Sequence, residues 1–245
     1  MSAAPNAGEV LVAADAESLA RLAAHWLRAW ALEAVARGGP ARIALSGGST
    51  PRAMFRVLAG LPLPWQKTEW FWVDDRAVPA DHPRSNYGAA RADLFDRVPV
   101  PPEQVHPMTP DGPDLDAVAR RYEARLAERF GLPGPGGEAP AFDLVLLGIG
   151  DDGHTASLFP GEPHVDITDR WVVAVPAAEG REARLTLTAP VIAASRRAVM
   201  LVQGEAKREP VRQARAPGSA REVPARVTQQ IRGELYWLVD AAARP

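Results

Sequence analysis

The stretch Phe142–Gly161, FDLVLLGIGDDGHTASLFPG, constrains the fold more than any other part of the chain. Apart from Asp143 it is apolar from Phe142 to Leu147, then breaks into Gly148, Gly150 and Gly153 with Asp151, Asp152 and His154 among them. A short apolar run stopped by glycines suits a strand buried on both faces, as in a parallel sheet. Runs of the same kind predict strands at Val10–Ala13, Arg42–Leu45, Glu69–Val73, Trp171–Val175, Leu185–Leu187, Val199–Val202 and Leu235–Asp240. Between them, helical patterns run from an Asp15 N-cap to Ala36, from Pro51 to Ala59, and over Tyr87–Phe95, Leu115–Phe130 and Ala206–Ala214. Leu19, Leu22, Ala23, Trp26, Leu27 and Trp30 recur at helical spacing and form a core face. Asp74–Arg84 reads as a polar loop and Gly131–Pro140 as a Pro/Gly loop. Strands alternating with helices predict one α/β domain over 1–245. Its expected architecture is three-layered and doubly wound, a mostly parallel, Rossmann-like sheet with helices on both faces.

Composition narrows the function by exclusion. A net charge of −2 offers no general attraction for nucleic acid or anionic membranes, so any anion site must be local. With no cysteine there is no disulfide, thiolate nucleophile or Cys-based metal site. MSAAPNAGEV lacks a basic region followed by an apolar core, so no signal peptide is expected. No apolar run approaches a membrane span. The basic residues are 26 Arg and only two Lys, Lys67 and Lys207.

Three loops carry chemistry. Ser46-Gly47-Gly48-Ser49-Thr50-Pro51 joins a strand to a helix, with Thr50 suited to the N-cap and Pro51 to the first helical position. Bare backbone N–H groups beside a helix N-terminus suit a phosphate; the plainer alternative is a tight turn with an ordinary cap. The hexapeptide is neither a Walker loop nor a dinucleotide fingerprint. Asp74-Asp75-Arg76-Ala77-Val78-Pro79, with Ser85-Asn86-Tyr87 beyond it, follows the next strand. It is either a surface ion-pair turn or a site in which Arg76 polarises a carbonyl or clamps a carboxylate. Asn86 serves as a neutral donor or a helix cap. In the third loop His154 lies two residues from Asp152 in an open glycine setting, which suits a group that exchanges protons near neutral pH. His25, His82, His106 and His164 read as structural or solvated. No second His sits at metal-ligand spacing and no GxSxG elbow is present, so neither a metal nor a serine nucleophile is expected.

Taken together, LSGGSTP (Leu45–Pro51), DDRAVP with SNY downstream (Asp74–Pro79, Ser85–Tyr87) and LLGIGDDGHTASLFPG (Leu146–Gly161) resemble the 6-phosphogluconolactonase family. Weaker matches follow at RLTLTAP (Arg184–Pro190), GEAK (Gly204–Lys207) and the terminal YWLVD, in the family's order across nearly the whole chain. The resemblance implies a cytoplasmic enzyme of the oxidative pentose phosphate pathway that hydrolyses 6-phospho-D-glucono-1,5-lactone to 6-phosphogluconate without a cofactor. The implied fold is similar to those of glucosamine-6-phosphate deaminase and ribose-5-phosphate isomerase. One departure is Asp75, where the family commonly carries Glu, so a partner oriented by this shorter carboxylate is expected to sit differently.

On that resemblance His154 is the base for water and then the acid for the leaving alkoxide, Asp152 orients it, and Arg76 stabilises the oxyanion or the carboxylate product. Gly47, Gly48, Ser49 and Thr50 hold the phosphate with Lys207 and Arg184, and Asp75 and Asn86 belong to the binding site. The expected partner is a small phosphosugar lactone, with no nucleic acid and no membrane, and the expected state is a monomer or weak homodimer. Two rivals remain. A hexosamine-6-phosphate deaminase resembles DGHIAFNEPG, with Glu five residues after the His, where this chain has Phe159, and Asp-Glu-Tyr where it has Asp74-Asp75-Arg76. A non-catalytic sugar-phosphate sensor requires an output module for which a compact chain has little room.

Overall fold

The computed structural model describes residues 6–110 and 112–245. Its centre is a six-stranded, wholly parallel sheet built from β1 (Glu9–Ala13), β2 (Ala41–Leu45), β3 (Thr68–Trp72), β5 (Leu144–Leu147), β8 (Arg197–Val202) and β9 (Glu234–Asp240), in the order β1-β9-β8-β5-β2-β3. All residues of β3 and β5 are buried, as expected of near-continuous apolar strands covered on both sides.

The helices are α1 (Ala16–Ala36), α2 (Ser49–Leu58), α3 (Asn86–Asp93), α4 (Leu115–Phe130), α5 (Ala189–Ala194) and α6 (Arg208–Arg215). Asp15 caps α1 by accepting from the Ser18 N–H at 2.7 Å, and Asp114 caps α4 in the same way. Gly131 ends α4 in the left-handed conformation at φ 66°. The buried side of α1 carries Leu19, Ala23 and Leu27, as the spacing predicts.

Two expectations are corrected. Asp74–Arg76 is not loop but a strand, β4, and it pairs antiparallel with β7 (Arg184–Leu187), which pairs antiparallel with β6 (Val172–Val175). The predicted strands at Trp171–Val175 and Leu185–Leu187 therefore exist but form a second sheet outside the parallel one. Val73 is the joint: its N–H donates to Leu45 O at 2.8 Å, and its carbonyl accepts from Leu187 N at 2.8 Å. Buried Glu123 of α4 ties in β6, accepting from the Arg170 guanidinium and from the N–H groups of Trp171 and Val172. The pairing satisfies a carboxylate that would otherwise be costly to bury.

The second correction concerns the start of α2. Its first residue is Ser49 and Gly48 is the N-cap, at φ 107°, with no capping side chain. Thr50 and Pro51 lie inside the first turn. Gly48 reaches a backbone conformation that L side chains rarely adopt.

Candidate active site

The strand order places the site. From β2 the chain proceeds to β3 on one side, and from β5 to β8 on the other, so the crevice between β2 and β5 is the switch point where open α/β sheets bind ligands. A cavity of about 220 Å³ opens there, lined by Ser46–Gly48, Asp74, Arg76, Asn86, Gly148–Gly150, His154, Ala156, Arg184 and Lys207. A slightly larger hollow beside His106 and Arg125 lies against α4 and contains no carboxylate-oriented imidazole.

After β5 the chain folds back tightly. Gly150 N donates to His154 O at 2.8 Å, and Gly153 bends the loop at φ 82°. A Cβ on Gly150 would lie 2.0 Å from His154 Nδ1 and 2.5 Å from Asp152 Oδ1, so glycine is required for these two side chains to meet. They meet closely: Asp152 Oδ1 is 2.6 Å from His154 Nδ1 and 3.0 Å from the His154 backbone N. Burial opposes ionisation of Asp152, but the His154 N–H and imidazole outweigh it and hold the carboxyl below its usual pKa. An ionised carboxylate only accepts, so the proton of neutral His154 sits on Nδ1 and Nε2 keeps a free lone pair.

The β4 strand supplies the opposite wall. Side chains alternate along a strand, so Asp74 and Arg76 share one face and Asp75 points to the other. Asp74 and Arg76 line the cavity, and Arg184 joins them as the cross-strand partner of Arg76. Asp74 accepts from Ser157 Oγ at 2.6 Å and lies 3.7 Å from the Arg184 guanidinium. Arg76 is braced by donating from Nη1 to Arg84 O at 2.8 Å.

Asp75, read from the sequence as a binding residue, does not line the cavity. It is 2 % exposed and accepts from the N–H groups of Arg76, Asn86 and Tyr87 at 2.7, 2.7 and 2.9 Å. It is the anchor for the start of α3. Burial drives its pKa up to about 6 despite these bonds. Asn86 does reach the cavity: its Nδ2 donates to Asp74 O at 2.9 Å, and its amide fills the space a Cβ on Gly47 would need, 1.8 Å from Oδ1.

Ser49 and Thr50 face a neighbouring cleft that shares Gly47, Gly48, Gly148 and Lys207 with the main cavity. Lys207 enters from the segment after β8, with Nζ 2.6 Å from Asp151 Oδ1. The structure thus brings together His154, Asp152, Arg76, Gly47, Gly48, Asn86, Arg184 and Lys207, with Ser49 and Thr50 next door. Asp74 and Ser157 escaped the sequence reading. The signal for Asp74 was present, since it stands two residues before Arg76 and shares its face once the segment is treated as a strand.

An open α/β fold whose switch-point cavity joins a carboxylate-oriented histidine to several cations and a glycine-rich helix entry defines an enzyme-like binder of small anionic substrates. A family model described as glucosamine-6-phosphate isomerases/6-phosphogluconolactonase matches residues 14–237, and the chain belongs to that family. A 6-phosphogluconolactonase of Synechocystis is 43% identical over 212 residues, covering 86% of each chain. The solved 6-phosphogluconolactonase of Trypanosoma cruzi superposes with a TM-score of 0.83 at 28% identity, over 99% of this chain and 97% of that one. A monomeric glucosamine-6-phosphate deaminase shares the fold, with a TM-score of 0.79 at 24% identity over 96% of this chain and 98% of that one.

Proposed function

We propose that this protein hydrolyses 6-phospho-D-glucono-1,5-lactone to 6-phosphogluconate. The observation that carries this reading is the Asp152–His154 pair, 2.6 Å apart, at a cavity also lined by Arg76, Arg184 and Lys207. His154 Nε2 takes a proton from water as the water oxygen bonds to C1. The tetrahedral oxyanion is held by Arg76. The C1–ring oxygen bond then breaks, and His154 returns the proton to the leaving oxygen. Asp152 orients the ring and stabilises its charged form. Gly47, Gly48, Ser49 and Thr50 hold the 6-phosphate with Lys207 and Arg184. An aldonolactone already opens slowly in water, so positioning and acid–base catalysis suffice, without a cofactor. With this reading go the finer expectations of a cytoplasmic enzyme working as a monomer or weak homodimer.

The test generates the lactone with glucose-6-phosphate dehydrogenase and follows its decay with and without the protein, with glucosamine-6-phosphate deamination as control. Faster lactone decay, lost in His154→Ala with KM little changed, is expected. Acceleration of the deamination alone overturns the proposal.

A further inference from the structure

The Asp152 bond leaves one motion of the His154 imidazole unconstrained. A single contact at Nδ1 fixes one distance, and the ring is placed by two torsions, χ1 and χ2, so a concerted change of the two can still tilt its plane while Nδ1 stays within reach of Asp152. Half of the Asp152 side chain is exposed, so water competes for the same oxygen. Two neighbours limit that tilt: Gly150, where a Cβ would lie 2.0 Å from Nδ1 and 2.2 Å from Cε1 of the ring, and, as the side chain facing it, Phe159. Its ring centroid is 4.7 Å from that of His154, with the planes at 42°, and it is 7 % exposed.

Phe159 is itself held. The Arg181 guanidinium lies 3.8 Å from the ring centroid, a cation–π geometry, and is fixed by donating to Glu162 Oε1 at 2.6 Å. Arg184, a cavity residue, stands 5.6 Å from the same ring. The backbone around Phe159 is pinned on both sides: Thr155 Oγ1 donates to Gly148 O at 2.8 Å, Ser157 N to Thr186 Oγ1 at 3.1 Å, and Gly161 N to Arg221 O at 2.8 Å. An aromatic ring so restrained is a rigid stop for its neighbour.

We infer that Phe159, locked by Arg181 and Glu162, is a positioning residue that sets the plane of the His154 imidazole and thereby aims Nε2 into the cavity. The inference rests on the proposed acid–base role of His154. It assigns the Arg181–Glu162 pair, which does not line the cavity, a part in the reaction through Phe159.

Two readouts test it. In lactone hydrolysis, Phe159→Leu keeps apolar bulk but removes the flat face; it is expected to lower kcat roughly tenfold with KM within about twofold, since misaim is felt at the transition state. Phe159→Tyr restores most of that loss. Arg181→Met, which frees the ring without removing it, lowers kcat in the same sense by a smaller factor. It supplies the test if the Leu variant does not fold. The second readout needs no substrate: NMR of the free protein should show the His154 ring protons displaced by the Phe159 ring current, and relaxed toward ordinary values in Phe159→Leu or Arg181→Met. Unmoved ring signals, an unchanged kcat, or a loss confined to KM overturns the inference. If the wild-type protein proves inert toward the lactone, the proposed function fails, while the NMR result still decides the contact.

Discussion

Arg76 on β4 and Arg184 on β7 stand directly opposite each other across an antiparallel pair, and both line the cavity. Like charges in that register repel. Burial depresses the pKa of Arg184, Asp74 counters that effect, and the nearby Arg76 adds to it. An anionic substrate bound between them, as proposed, relieves that repulsion. Arg76→Gln is expected to reduce kcat on the order of 100-fold if it meets the developing oxyanion. Arg184→Gln should instead raise KM about tenfold, the worth of one charge-assisted hydrogen bond. Steady-state kinetics separate the two; the opposite assignment of kcat and KM effects would exchange their roles.

Lys207 makes the shortest ion pair of the cavity cations, with Nζ 2.6 Å from Oδ1 of exposed Asp151. A substrate phosphate held by Lys207, as proposed, competes with that carboxylate. Asp151→Asn should lower KM about threefold at low salt, within the range of an exposed ion pair, and the gain should shrink as salt screens it. A KM that rises would show that Asp151 helps to place Lys207 rather than to occupy it.

Gly150→Ala is a steric probe of the central pair. The added methyl would collide with both His154 Nδ1 and Asp152 Oδ1, separating groups that the proposed acid–base role keeps in contact. We expect a fall in kcat of about 100-fold or more, comparable with losing the acid–base group, while circular dichroism and the urea midpoint stay near wild type. Retained activity would show that the 2.6 Å contact is dispensable.

Two buried groups away from the reacting atoms set opposing pH dependences. Asp75 has its pKa raised from 3.8 to about 6 by burial, so the folded state binds the extra proton, and its contribution to stability is lost as pH rises through that window. His106, stacked on Phe71, has its pKa lowered from 6.5 to about 4, chiefly by burial, so its contribution is lost as pH falls through that window. Each shift corresponds to about 3 kcal/mol. Relative to wild type, Asp75→Asn should steepen the loss of stability on acidification between pH 6 and 4, and His106→Gln should soften it. Urea midpoints measured across that range check both signs.

The central sheet was legible because its strands are short, mainly apolar runs, those of the interior buried on both faces, and α4 was legible to the residue because Asp114 caps it and Gly131 stops it. The glycine-flanked Asp152–His154 loop carried its chemistry openly. Asp74–Arg76 misled for a physical reason: three polar residues look like a solvated turn, and their alternation acquires meaning only when β7 lies alongside.

Local sequence therefore decides the strands of the central sheet and the long helices, which loops must bend at glycine, and that His154 has Asp152 in reach. Pairing across distant parts of the chain decides the rest. The register of β4 on β7 turns Asp74 and Arg76 toward the cavity and buries Asp75 beneath α3. The strand order brings the β2 and β5 loops to one crevice. The fold of the 155–161 segment sets Phe159 against His154. Such relationships depend on which face a side chain takes after elements far apart in sequence have paired, and that is settled by burial and hydrogen bonding of the whole sheet rather than by the preference of any one segment.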